Sequence, residues 1–144
     1  MSQNPAAKKA SNGSDFTPTI HNDTYPFINP TQFDLTDRAV FVTGASKGIG
    51  LEVSKSFAKA GASYIALGAR SSLDNSEKAV LNAAKEAGRK APRVLKLKVD
   101  VSDEGSVGAA AKELESQFGR LDLLINNAGF LENFKPVAES DPQQ

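Results

Sequence analysis

Apolar runs alternate with amphipathic stretches along the chain from about Leu35 onwards. Four short runs have the character of strands in a largely buried sheet, at 39–42, 63–67, 94–99 and 121–125. Between them lie three stretches with apolar residues at helical spacing, closed by Gly61, Gly88 and Gly119. Strands that alternate with helices in this way predict an α/β fold in which parallel strands are joined by right-handed crossovers.

The same pattern predicts which helix faces are buried. The expected stripes are Ile49, Val53 and Phe57 in the first helix, Val80, Ala83, Ala84 and Ala87 in the second, and Val107, Ala111, Leu114 and Phe118 in the third. Ser102 is the predicted N-cap of the third helix. In the run 94–99, Lys96 and Lys98 alternate with apolar residues, which indicates a half-exposed strand at the edge of the sheet.

The first 33 residues lack this pattern. Residues 1–15 are rich in Ser, Asn, Ala and Lys, and we expect them to be disordered because they bury too little surface to offset the entropy of ordering. Residues 16–33 carry three prolines and scattered aromatics, from which we expect an extended lead-in without regular structure. The predicted organisation is therefore a lead-in over 1–33 and a folded unit over 34–144.

Composition removes several classes of function. Lys plus Arg and Asp plus Glu are 17 each, which gives no reason to expect nucleic acid or an anionic membrane as a partner. The absence of cysteine excludes disulfides and thiolate nucleophiles, and the single histidine, His21, cannot form a metal cluster alone. No apolar run approaches the roughly 20 residues of a membrane span, and no secretory signal opens the chain. We therefore expect a cytoplasmic protein.

The segment Thr43–Gly50 reads Thr-Gly-Ala-Ser-Lys-Gly-Ile-Gly and joins the first strand to the first helix. Glycines let backbone amides approach a phosphate closely, and a helix N-terminus adds oriented N–H groups with a partial positive charge. The loop therefore predicts a cradle for the pyrophosphate of a dinucleotide; the alternative is an ordinary strand-to-helix turn. The predicted contacts are Gly44, Ser46, Lys47, Gly48, Ile49 and Gly50.

The end of the second strand favours one form of the cofactor. A dinucleotide fold places the residue that senses the adenosine ribose about 20 residues after the glycines, where an acidic side chain would bind a 2′-hydroxyl. This chain has Ala69 and Arg70 there, and Lys47 can reach the same side. Two cations suit a 2′-phosphate, so NADP(H) is favoured over NAD(H). The alternative is that Arg70 and Lys47 are solvated surface charges.

Three motifs in the right order carry a family resemblance. The loop Thr43–Gly50, Asp100-Val101 after the third strand and Asn126-Asn127-Ala128-Gly129 after the fourth match motifs of the short-chain dehydrogenase/reductases, which the chain resembles from about Asp34 onwards. The resemblance implies the N-terminal half of a Rossmann-like, doubly wound parallel sheet with strand order 3-2-1-4. It also implies hydride transfer between a nicotinamide cofactor and a carbonyl or alcohol of a small-molecule substrate.

The resemblance further assigns roles at the ends of the strands. It places Asp100 and Val101 at the adenine, and Asn126, Ala128 and Gly129 at the nicotinamide ribose. Asp100 has the alternative role of capping the next helix. Asn127 is either structural, tying neighbouring strands together, or a cofactor contact.

The catalytic part of the family pattern is not matched. Family members use a Ser and a Tyr-x-x-x-Lys downstream of the Asn-Asn-Ala-Gly motif, whereas this chain ends at Gln144, and Ser140 has no such partner. Neither tyrosine is followed by Lys at the fourth position. We therefore expect the N-terminal part of an NADP(H)-dependent oxidoreductase, shortened after that motif, and no catalytic residue within it.

The missing half has consequences for structure and for function. The fourth strand is expected to be an exposed apolar edge. The style of the lead-in resembles fungal members of the family, which implies a place in fungal secondary metabolism. The alternative function is a non-catalytic nucleotide-binding fragment or degenerate relic that acts through binding.

Overall fold

The computed structural model describes residues 24–129, so the predicted disorder of 1–15, His21 and Ser140 lie outside the described residues. The strands are β1 Ala39–Thr43, β2 Tyr64–Ala69, β3 Arg93–Lys98 and β4 Leu123–Ile125, and the helices are α1 Gly48–Lys59, α2 Asp74–Glu86 and α3 Glu104–Phe118. All neighbouring strands pair in parallel in the order β3-β2-β1-β4. The predicted fold class and strand order are confirmed.

Side chains from the two faces of the sheet form two separate cores. Val40 and Val42 of β1 point to one face, where they pack with Ile65, with Leu67 and with the inner faces of α1 and α2. Phe41 points to the other face and packs in a smaller core with residues of β2, of β3 and the position after it, and of α3: Ala66, Leu97, Val99, Ala110 and Leu114. Strands β1 and β2 are therefore covered on both sides, as expected for the centre of a parallel sheet.

The buried face of α1 lies one residue further along than the apolar pattern indicates. Ile49 is 76% exposed, and Val53 and Phe57 are only partly buried. The fully buried residues are small: Gly50, Ser54 and Ala58. Small residues let this helix approach the sheet closely, and the prediction for Ile49 was wrong because a close contact, rather than apolar area, determines which face is inside.

The start of α3 also differs from the prediction. Asp103, and not Ser102, is the N-cap, and its side chain accepts a hydrogen bond from the amide of Gly105 at 2.9 Å. The Ser102 hydroxyl donates instead to Asp100 Oδ1 at 2.6 Å. Asp100 Oδ1 accepts from both the amide and the hydroxyl of Ser102, which places Ser102 in the turn before α3 and leaves the Gly105 amide to Asp103.

The two edges of the sheet are protected to different degrees. On β3, Lys96 and Lys98 are exposed while Leu97 is buried, which confirms the predicted edge strand. At the other edge β4 has only three residues, and Leu124 is 49% exposed. On the same side Val107 of α3 is 44% exposed and Ala111 is exposed too, so the predicted stripe of α3 was wrong at these two positions; the buried residues of α3 are Ala110 and Leu114. An apolar groove of about 600 Å³ runs along this flank of α3 and β4.

The lead-in contains regular structure near its end. Two 3₁₀ turns, Pro26–Ile28 and Pro30–Gln32, each begin with a proline, whose fixed φ suits a first helical position. The Arg89 guanidinium donates to the carbonyl oxygens of Thr31 at 2.9 Å and Phe33 at 2.7 Å. The prediction of no regular structure was wrong here, because prolines that rule out a strand also start a tight turn.

Candidate functional site

An open cleft of about 790 Å³ lies at the carboxyl ends of the four strands. In open parallel sheets this is the edge at which ligands bind. Every predicted site residue except Asn126 lines it: Gly44, Ser46, Lys47, Gly48, Ile49, Gly50, Arg70, Asp100, Val101, Ala128 and Gly129. Asn126 instead lines the apolar groove beside α3. The roles of these residues toward a ligand stay predictions.

The glycine-rich loop has the geometry that an anion cradle requires. Gly44 and Gly48 adopt φ values of 68° and 58°, which side-chain-bearing residues rarely take. A Cβ on Gly48 would meet no atom within 4 Å, so the loop presents bare backbone to open space there. Helix α1 begins at Gly48, and its N-cap, Lys47, makes no side-chain capping bond. The first amides of α1 therefore stay available to an anion, which fits a dinucleotide pyrophosphate.

Gly50 fulfils a different requirement from the other two glycines. A Cβ at this position would overlap the Gly44 carbonyl and come within 2.5 Å of the Asn127 Nδ2 atom. The residue is buried, and its φ is not positive. Gly50 thus allows α1 to pack against the loop and against the segment that follows β4, and it maintains the shape of the cleft.

Thr43 and Asn127 join β1 to the segment after β4. Thr43 is 6% exposed, and its hydroxyl donates to the Ile125 carbonyl at 3.2 Å and accepts from the amides of Asn127 and Ala128 at 3.1 and 3.0 Å. The Asn127 side chain donates to the Thr43 carbonyl at 2.9 Å. The structure thus shows the structural role of Asn127; because Asn127 also lines the cleft, its role as a cofactor contact stays a prediction.

Arg70 and Asp100 meet at the far end of the cleft. Their side chains approach to 3.9 Å, with Arg70 73% exposed. Asp100 also accepts from the hydroxyl and the amide of Ser102, and these two hydrogen bonds, with Arg70 adding a smaller effect, lower the pKa of its carboxyl. Asp100 does not cap α3. Arg70, with its exposed and weakly paired guanidinium, and Lys47 both line the cleft and give it positive charge.

Sequence reasoning missed several residues of the cleft. Ser71 and Ser102 line it, and a hydroxyl directly after Arg70 was a usable signal for Ser71. Ser76 of α2 lies behind the cleft and donates its hydroxyl to the Ser46 carbonyl at 3.2 Å. A serine inside a helical pattern carries no sign of such a distant contact, so nothing in the sequence pointed to Ser76.

Other kinds of site receive no support within residues 24–129. That part of the chain contains no group of three or more His, Asp or Glu side chains placed to hold a metal ion. Tyr64 does not line the cleft, and the centroid of its ring lies 5.2 Å from that of Phe118. None of the helices described there is both long and apolar enough to cross a bilayer.

Comparison with known proteins extends these observations. Residues 38–144 match the family described as short chain dehydrogenase. The short chain dehydrogenase citE of Monascus ruber is 59% identical over 123 residues, which are 85% of this chain and 42% of that protein. The chain spans about two fifths of the length of the curated Monascus relatives that it matches.

Solved structures resemble the described fold. L-sorbose reductase from Gluconobacter frateurii, complexed with NADPH and L-sorbose, aligns with a TM-score of 0.62 at 34% identity over 77% of this chain and 40% of that one. Carveol dehydrogenase from Mycobacterium avium, in complex with NAD, has a TM-score of 0.59 at 22% identity over 74% of this chain and 40% of that one. The second likeness concerns the fold alone.

Proposed function

The chain belongs to the short-chain dehydrogenase family, and on that premise we propose that it forms the cofactor-binding part of an NADP(H)-dependent oxidoreductase. The reaction is reduction of a carbonyl or oxidation of an alcohol on a small molecule, and it belongs to the full-length form. The observation that carries the proposal is the cleft in which the glycine-rich loop, the N-terminus of α1 and the cation of Arg70 come together.

The glycine-rich loop is proposed to hold the pyrophosphate. Gly48 presents open backbone, and the first amides of α1 are oriented donors with a partial positive charge. Ser46 and Lys47 border the same space, and the exposed Ile49 side chain gives it an apolar side. A bound nicotinamide supplies or accepts the hydride of the reaction.

The far end of the cleft is proposed to select the cofactor. Arg70 is largely exposed and lies against Asp100 at 3.9 Å, a weak pairing that leaves its guanidinium able to bind a 2′-phosphate. Lys47 contributes a second positive charge. Asp100 and Val101 are proposed to border the adenine, and Ala128 and Gly129 the nicotinamide ribose. The NADPH complex of L-sorbose reductase supports this choice.

Asn126 is the proposed contact with the weakest geometric support, because this residue lines the apolar groove rather than the cleft. The alternative function is a non-catalytic nucleotide-binding fragment. It is not favoured, because relatives of the chain are named as dehydrogenases and no observation points specifically to this alternative.

The cofactor proposal is tested by calorimetric titration of the chain with NADPH and NADH. We expect tighter binding of NADPH, and loss of this preference in Arg70→Asp. A charge-assisted hydrogen bond contributes about 1.5–3 kcal/mol, so the affinity for NADPH should fall by roughly tenfold or more. Equal affinity of the unaltered chain for both dinucleotides would contradict the proposal.

Lys90→Asp is the matched control for Arg70→Asp. It makes the same change in charge at an exposed position that borders a separate depression near Asp37 and Arg93, outside the cleft. It should leave the preference for NADPH unchanged. If both variants lose affinity equally, the effect comes from overall charge and Arg70 has no specific role.

A further inference from the structure

The first turn of α2 contacts the glycine-rich loop from behind. Ser76 is 1% exposed, and its hydroxyl donates to the carbonyl oxygen of Ser46 at 3.2 Å, across 30 residues of sequence. Ser46 lines the cleft, whereas Ser76 does not. The hydroxyl therefore acts on the loop from the protein interior, where it has no access to a ligand.

The turn that carries Ser76 is itself firmly held. Leu73, just before α2, is 5% exposed and belongs to the larger core. The ammonium group of Lys96 on β3 contacts Asp74 at 2.7 Å and Glu77 at 2.8 Å, on either side of Ser76 in the sequence. These contacts fix the start of α2 to the sheet, so that Ser76 offers the loop an anchor in a defined position.

The geometry of the peptide group links this anchor to the cradle. In a planar trans peptide the C=O of one residue and the N–H of the next point in opposite directions. A Ser46 carbonyl held against Ser76 therefore directs the amide of Lys47 away from α2. Without the bond the peptide loses one constraint on its orientation, and a carbonyl oxygen turned toward the ligand would repel a phosphate.

We propose that Ser76 is a positioning residue for the phosphate cradle, holding the loop between Gly44 and Gly48 in the conformation that binds a dinucleotide pyrophosphate. The inference rests on the proposed function, since it presumes that the cleft takes a dinucleotide. It goes beyond that function by assigning part of the affinity to a residue outside the cleft. Pre-ordering of a loop raises affinity because the ordering cost is met before binding.

The test compares Ser76→Ala with the unaltered chain by calorimetric titration with NADPH and with adenosine 2′-monophosphate. Loss of one hydrogen bond that orders the loop should weaken NADPH binding about fivefold. Adenosine 2′-monophosphate has no pyrophosphate, so its affinity should fall much less than that of NADPH. Ser76→Cys keeps a small side chain with a weak donor and should give an intermediate NADPH affinity.

Ser63→Ala is the matched control. The Ser63 hydroxyl accepts the amide of Asp37 at 2.9 Å, across 26 residues, in the depression that lies outside the cleft. The Ser63→Ala variant should bind NADPH and adenosine 2′-monophosphate as tightly as the unaltered chain, even where circular dichroism shows a lower melting temperature. An NADPH affinity of Ser76→Ala within twofold of the unaltered chain, or an equal loss for both ligands, would overturn the inference alone. Failure of the unaltered chain to bind any dinucleotide would overturn the proposed function and the inference with it.

Discussion

Replacement of Thr43 by valine should lower the free energy of unfolding by about 2–4 kcal/mol. Valine has nearly the shape of threonine, so the change removes the hydroxyl without opening a cavity. That hydroxyl makes three hydrogen bonds of 3.0–3.2 Å to the backbone of the segment Ile125–Ala128, and it is 6% exposed. The variant therefore isolates the polar part of the joint between β1 and β4.

The magnitude follows from what each backbone group retains. The Ile125 carbonyl and the Asn127 amide still pair with each other at 3.1 Å, so each loses one of two contacts, at about 0.5–1.5 kcal/mol net. The Ala128 amide loses the partner that the structure gives it, which costs about 1–3 kcal/mol when the group is buried. Ala128 is only half-buried, so its cost lies near the lower end.

The assay is urea denaturation followed by circular dichroism, with Thr43→Ser as the control. Serine keeps the hydroxyl and loses one methyl group, whose removal from a packed site typically costs about 0.5–1.5 kcal/mol. We expect the valine variant to unfold at a lower urea concentration than the serine variant, with an unchanged m value. If the valine variant is as stable as the serine variant, packing rather than hydrogen bonding holds the joint, and the reasoning fails.

Two further changes test other parts of the sheet. Asp122 accepts hydrogen bonds from Arg120 and from the amide of Ala39, which hold the pKa of its carboxyl well below the usual range. The ionised carboxylate therefore stabilises the fold above the unfolded pKa of about 3.9, and this stabilisation is lost as pH falls through the lowered folded pKa. Asp122→Asn should therefore be less stable than the unaltered chain at pH 7, and urea midpoints measured from pH 7 to pH 2 should converge; parallel curves would contradict this. A Cβ on Gly68 would lie 2.7 Å from the Phe41 ring, so Gly68→Ala should cost about 1–3 kcal/mol, and Phe41→Leu in the same chain should recover part of that cost. If Gly68→Ala is as stable as the double variant that also carries Phe41→Leu, the result would argue against a clash between the added Cβ and the Phe41 ring.

The order of strands and helices could be predicted because each apolar run is bounded by a glycine or a motif. The glycine spacing of Thr43–Gly50 was also sufficient to place the cleft. The buried faces of the helices were harder to predict, because Gly50 and Ser54 are buried on account of their small size and give no apolar signal. The apolar Ile49 is exposed because it stands at the mouth of the cleft.

Polar contacts between distant segments were the least predictable feature. Ser102 and Asp103 are both good caps by type, and the turn that Ser102 forms with Asp100 is visible only in the folded structure. Asn126 and Asn127 are neighbours of the same type, yet one faces the apolar groove and the other is bonded to the loop. Ser76 reaches across 30 residues to the Ser46 carbonyl, a relation that requires the folded arrangement of α2 and the loop.

The position of β4 beside β1 also has a consequence for how the chain folds. Ala39 pairs with Tyr64 of the following strand, but it also bonds Asp122, which lies 83 residues away. Closing the longer loop costs about 1 kcal/mol more in chain entropy than closing the shorter one. Strands β1, β2 and β3 can therefore assemble from sequence neighbours, and we expect β4 to dock after the transition state. Changes at the Thr43 joint should then accelerate unfolding more than they retard folding.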